Sequence, residues 1–158
     1  MRKLLHIAVL VCTILGGSAV AEAGLVIEGS VGKGYQVDSP RAWMPTNIMI
    51  APGYHFLGIL RAQLGIVGDL GDVENSKFDL QLRPMIGIYP PILPIYARAI
   101  FAVQNLLNDT NVAVGAAGGL KIELPIIGLG VFAEAGVLPR FSPTHTVVEG
   151  RVGGFWAF

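Results

Sequence analysis

Ser142, His145 and Glu149 are a hydroxyl, an imidazole and a carboxylate that lie close together in the sequence, near one rim of the expected fold. Such a set could activate a nucleophile for acyl transfer, the chemistry of a lipid-modifying enzyme. The spacing argues against it. In an extended segment His145 and Glu149 share a face but stand four residues, about 13 Å, apart, beyond the reach a nucleophile and its base require. A solvated histidine is the plainer account, and no catalytic residue is assigned. His55 and His145 have no partners at metal-ligand spacing, so no metal site is expected. Asp69, Asp72 and Glu74 form an acidic segment that could attract a cation, although a solvated loop explains it equally well. Gly115, Gly118 and Gly119 are followed by no helix and make no phosphate-binding fingerprint. No cofactor is implied.

Ten charged residues fall into a pattern. Arg61, Arg83, Arg98, Lys121 and Arg151, with Glu28, Asp79, Glu123, Glu134 and Glu149, all occupy the polar parity of segments that alternate with a period of two. The apolar parity reads Leu25, Ile27, Val31 and Tyr35 in a first segment, and Ile48, Ile50, Pro52, Tyr54 and Phe56 in a second, from about residue 47 to 56. Leu60 to Ile66 make a third and Phe78 to Ile88 a fourth. Ile95 to Val103 follow, with Ile100 out of place on the polar side, then Val112 to Leu124, Leu129 to Val137, and Val148 to Phe158. Eight strands result. Pro52 is expected to mark a bulge or ladder break. Residues 38–46, 68–77, 105–111 and 139–144 form the more polar connections; those near Leu57, at 90–94 and at 125–128 are tight or proline-rich.

Composition sharpens the class. Hydrophobic residues make up 53% of the chain and charged residues only 14%, with a mean hydropathy of +0.61. Beyond the N-terminal segment, no run approaches the roughly 20 apolar residues of a spanning helix. The other structure that satisfies every backbone group in lipid is a closed β-barrel. Residues Met1 to Ala23 read as a cleaved secretory signal: Arg2 and Lys3, an apolar stretch from Leu4 to Leu15, then small residues. Cleavage fits after Ala21 or Ala23. Cys12 lies inside the apolar stretch, which disfavours a lipoprotein and leaves residues 24–158 without cysteine. Removing Arg2, Lys3 and Glu22 leaves nine basic against ten acidic residues. No basic face exists for nucleic acid.

The signal segment, the eight alternating strands and the terminal Gly-Phe-Trp-Ala-Phe resemble the small outer-membrane barrels of the OmpA membrane-domain and OmpX type. The resemblance implies an all-β, eight-stranded antiparallel up-and-down transmembrane barrel. It implies residence in the bacterial outer membrane as a monomer, among outer-membrane lipid and lipopolysaccharide. It also implies insertion by the barrel assembly machinery, with Val152, Trp156 and Phe158 as the assembly signal. Aromatic girdles are expected from Tyr54, Phe56, Trp156 and Phe158 at the inner interface, and from Tyr35 and Phe78 at the outer.

An eight-stranded barrel has an interior that side chains fill. The ten charges are therefore expected to meet in a salt-bridge network that closes the lumen, with Gly32, Gly65, Gly87, Gly119, Gly130 and Gly153 making room for the arginines. A passive structural role follows; a low-conductance pore is the alternative, and a lipid-modifying enzyme the remotest. A soluble barrel with the opposite parity would show the same alternation. It would not explain the terminal aromatic strand or the low charged fraction.

Overall fold

A computed structural model describes residues 24–70, 78–107, 110–124, 127–141 and 144–158. The N-terminal segment, Met1 to Ala23, expected to be a secretory signal, therefore lies outside the described residues, as do Asp72, Glu74 and Ser142. Eight strands run in chain order: β1 (Gly24–Gln36), β2 (Ala42–Phe56), β3 (Leu60–Leu70), β4 (Asp79–Ile88), β5 (Ile95–Gln104), β6 (Asn111–Leu124), β7 (Leu129–Phe141) and β8 (Thr144–Ala157). Each pairs antiparallel with the next, and β8 returns to β1, closing the barrel. The seam is complete to its end, where the Phe158 amide donates to the Leu25 carbonyl at 3.0 Å. Closure matters physically because it removes the unpaired edges an open sheet would present.

Alternation sets which face goes where. On β1, Glu28, Ser30, Gly32 and Gly34 are buried, while Leu25, Ile27, Val31 and Lys33 are exposed. The same inversion holds around the ring: Ile50, Ile66, Ile86, Ile122, Val131 and Val152 face outward, and Arg61, Arg83, Arg98 and Arg151 face inward. A soluble barrel lined by aliphatic residues is excluded by this burial pattern.

Several strands are longer than the alternation predicts. Residues 42–46 continue β2, and residues 139–141 and 144–147 continue β7 and β8. Two connections at the end opposite the termini therefore shrink, to 37–41 and 142–143. Asp69 likewise belongs to β3 and not to a loop. The register shift falls between Lys33 and Tyr35, where Lys33 pairs with Thr46 and Tyr35 with Trp43. Met44 and Pro45 there oppose Gly34, a bulge that accommodates a proline lacking an amide hydrogen. At Pro52 the ladder to β3 is interrupted between the pairs Ile50↔Ile66 and Gly53↔Gln63 without loss of register.

Candidate functional site: the barrel lumen

Strand register brings six of the predicted charges into one connected chain. Glu28 on β1 accepts from Arg98 on β5 at 3.0 Å and from Gln63 on β3 at 3.1 Å. Arg98 also donates to Glu134 on β7. Arg151 on β8 has its Nε 3.8 Å from the same Glu134 oxygen and donates to Glu149. Glu149 is held from its other side by Arg83 on β4, at 2.7 Å. Asn47 completes the cluster, donating to Glu149 at 3.0 Å and accepting from Arg151 at 2.6 Å. Beyond Arg83 the chain continues through Gln81 to Asp69, whose Oδ2 accepts from Gln81 at 2.6 Å. These side chains are almost fully desolvated; those of Arg98 and Arg151 are 1% and 2% exposed. Partners on both sides make that burial tolerable, since a lone buried ion would be very costly.

The other four predicted members sit differently. Arg61 is buried but forms no ion pair among the described residues. Its guanidinium lies 4.1 Å from the ring centre of Tyr89 and 5.0 Å from that of Phe155, so aromatic faces supply the negative potential a carboxylate was expected to give. Lys121 pairs with Glu123 at 3.5 Å, apart from the six-membered chain, and the Glu123 side chain is 34% exposed at the rim. Asp79 accepts the amides of Leu80 and Leu107 at 2.7 and 3.3 Å, tying β4 to the connection that follows β5.

Two apolar features of the lumen went unread in the sequence. Val26, Tyr89, Tyr96, Phe132 and Phe155 cluster inside the end that carries the termini. Tyr89 and Tyr96 stack at 4.7 Å, and Tyr96 meets Phe132 edge-on at 6.3 Å. Tyr96 donates its hydroxyl to Glu134 at 2.9 Å, joining the aromatic plug to the ionic chain. The second feature lines β2 to β7: Met49, Ala51, Val67, Met85, Ile100, Ala102, Ala113, Ala117 and Leu138. Ile100 is thus at home in an inward apolar cluster. Tyr96, Phe132 and Phe155 share the parity of the charges, and Tyr89, one residue beyond β4, continues the inward parity of Asp79, Arg83 and Gly87, so all four could have been found by extending the alternation.

Inward glycines make room for more than arginines. A Cβ at Gly32 would sit 2.9 Å from Glu149 and 3.0 Å from Arg151, as the charge network requires. At Gly87, Gly119 and Gly153 it would instead meet Tyr89, Tyr96 and Phe132 at 2.6 to 2.8 Å. Two small cavities adjoin the network. One cavity near Arg83, Arg140 and Glu149 leaves about 20 Å³ for water centres, and another between Met85, Glu134 and Arg151 about 10 Å³. Each admits about one water molecule.

His145 does not form a catalytic pair. Its Nδ1 has no hydrogen-bond partner, and the Glu149 carboxylate is taken up by Asn47, Arg83 and Arg151. No group of metal-ligating side chains occurs among the described residues. On the outer surface Val152, Trp156 and Phe158 are exposed along one line, with the Trp156 and Phe158 rings 5.0 Å apart.

No protein-family model matches the chain, and no curated protein matches it by sequence. Among solved structures it is similar to the crystal structure of Neisserial surface protein A (NspA), with a TM-score of 0.61 and 11% identity over 85% of this chain and 97% of that one. It is also similar to a de novo designed transmembrane β-barrel, with a TM-score of 0.53 and 14% identity over 85% and 95% of the two chains. With its apolar face outward and its charges enclosed, the chain has the closed eight-stranded fold of small outer-membrane-type β-barrels.

Proposed function

We propose that this protein is an integral barrel of the bacterial outer membrane with a structural role, its lumen closed to solutes. The observation that carries this reading is the filling of the interior: an ionic chain from Glu28 to Arg83, an aromatic plug at the terminal end, and cavities beside the ionic chain of only about 20 and 10 Å³. Both termini then face the periplasm, and Val152, Trp156 and Phe158 serve the barrel assembly machinery as its recognition strand. The enzyme reading has less support, because Glu149 is spent on two arginines and one asparagine.

A low-conductance pore is the second reading. It is favoured by Glu134, which is shared between Arg98 and Arg151. A carboxylate with two candidate cations could exchange between them and admit a file of water, since rings of charge govern selectivity in pores. Conductance of the refolded protein in a planar bilayer separates the two, with Glu134→Gln as the comparison. The structural reading expects a silent bilayer containing folded barrel from both proteins. Discrete openings that change with the substitution would install the pore in its place.

A further inference from the structure

The outward parity of the eight strands is apolar or aromatic, or carries Gly, Pro or Thr, with one exception. Lys33 is the single charged residue on that face among the described strand residues. It sits near the far end of β1, alternating with the buried Gly32 and Gly34, and is itself exposed. A cation on a lipid face is costly at depth and tolerated near an interface, where its apolar stem can lie along the barrel while the ammonium reaches the headgroups. No carboxylate pairs with it among the described residues. Its neighbour is Trp43, whose ring centre lies 5.5 Å from Nζ. Tyr35 packs edge-on against that ring at 5.0 Å, and Trp43 is 68% exposed. Arg41, exposed on the same hairpin, adds a second positive charge.

The surface beside the ammonium is bare. Lys33 pairs with Gly150 on β8, where an added Cβ would meet nothing within 4 Å. The same row of partners runs on through Ala135, Gly118 and Ala97, descending toward the terminal end as it goes. We propose that Lys33, Tyr35 and Trp43, with Arg41, form a docking surface for the phosphate-bearing headgroup of an outer-leaflet lipid, whose acyl chain lies over the small residues. Charge complementarity selects phosphate, and the aromatic pair fixes the depth of the headgroup, as Trp and Tyr do at membrane interfaces. The lipid is favoured over free phosphate because the cation projects from the face that lipid covers. This inference rests on the membrane reading above.

The test uses the purified, folded protein and three probes: bis-phosphorylated lipid A, the same lipid dephosphorylated, and inorganic phosphate. Native mass spectrometry counts retained lipid. The phosphorylated form should be retained preferentially, and Lys33→Gln should weaken retention roughly fivefold, with a similar further loss on adding Arg41→Gln, as expected for about one unit of basic-residue attraction each. Lys33→Arg should keep the preference. Equal retention by wild type and Lys33→Gln, equal retention of dephosphorylated lipid, or binding of inorganic phosphate as tight as that of the lipid would each overturn the proposal. Insertion into vesicles is scored in parallel. A barrel that inserts yet ignores Lys33→Gln defeats this inference alone, whereas one that fails to insert defeats the membrane reading with it.

Discussion

Glu134 and Arg61 illustrate two ways of keeping a charge inside a protein. Glu134 accepts from Arg98 and Tyr96 and lies beside Arg151, with its side chain only 4% exposed. Replacing it with leucine strands part of the charge of both arginines, so Glu134→Leu should destabilise the barrel by about 3 kcal/mol, the usual cost of removing one partner of a buried pair. Urea unfolding in lipid vesicles measures this; unchanged stability would remove Glu134 from the network. Arg61 has the rings of Tyr89 and Phe155 beside it and, among the described residues, no ion-paired carboxylate. Arg61→Met should therefore change stability by less than about 1 kcal/mol or raise it, because a desolvated cation is exchanged for a side chain that packs on Tyr89 and Phe155. Arg98→Met, which abandons Glu28 and Glu134 together, should be severely destabilising in the same assay. The parity of all these residues could be read from the alternation, which fixes a side chain's face. Their partners could not, because they come from strands far apart in sequence that meet only across the lumen: Glu28 reaches Arg98, and Arg83 reaches Glu149.

Strand ends are where the alternation misleads. Trp43 lies in what reads as a polar connection, yet it pairs with Tyr35 beyond the bulge at Met44 and Pro45. The bulge swaps the parity of every residue before it, so a period-two reading that is sound from Asn47 onward loses the strand there. Within β2, Pro45 thus marks the bulge and Pro52 a local gap in the hydrogen-bond ladder to β3. The glycines provide a test at the same scale. Gly119→Ala would press a methyl against Tyr96 and the Glu134 Cβ at 2.8 Å, and overpacking of this kind costs about 1 to 3 kcal/mol. At Gly29 an added Cβ meets nothing within 4 Å, so Gly29→Ala should be neutral or stabilising by about 0.5 kcal/mol through loss of unfolded-chain entropy. Equal effects at the two sites, measured by equilibrium unfolding, would show that the lumen yields more readily than its packing implies.

For the molecule as a whole, the inverted distribution of polarity decides the environment. Ile50 is 58% exposed, near the middle of β2, between Gly29 and Ile66. In water, Ile50→Lys would be harmless; in lipid at mid-depth a lysine costs about 2 to 4 kcal/mol. The substitution should therefore destabilise the barrel in vesicles by that amount. The fold class was legible in the sequence because three features agreed: eight alternating segments, a low charged fraction and an aromatic terminal strand. The half-apolar interior was not: Ile100 alone stands out on the polar parity, whereas Met49, Met85 and Leu138 share that parity and are noticed only once the strands close around them.

The central claim, an apolar outer face seated in a bilayer, is tested most directly by the chain's two tryptophans. Trp43 and Trp156 lie on that face at opposite ends of the barrel. Single-tryptophan variants, Trp156→Phe and Trp43→Phe, are refolded into vesicles of lipids brominated at defined depths along the acyl chain. Both tryptophans should be quenched most by bromines near the headgroups and least by those near the chain ends, with little access to aqueous acrylamide. Strong acrylamide quenching with no response to any brominated lipid would contradict the account.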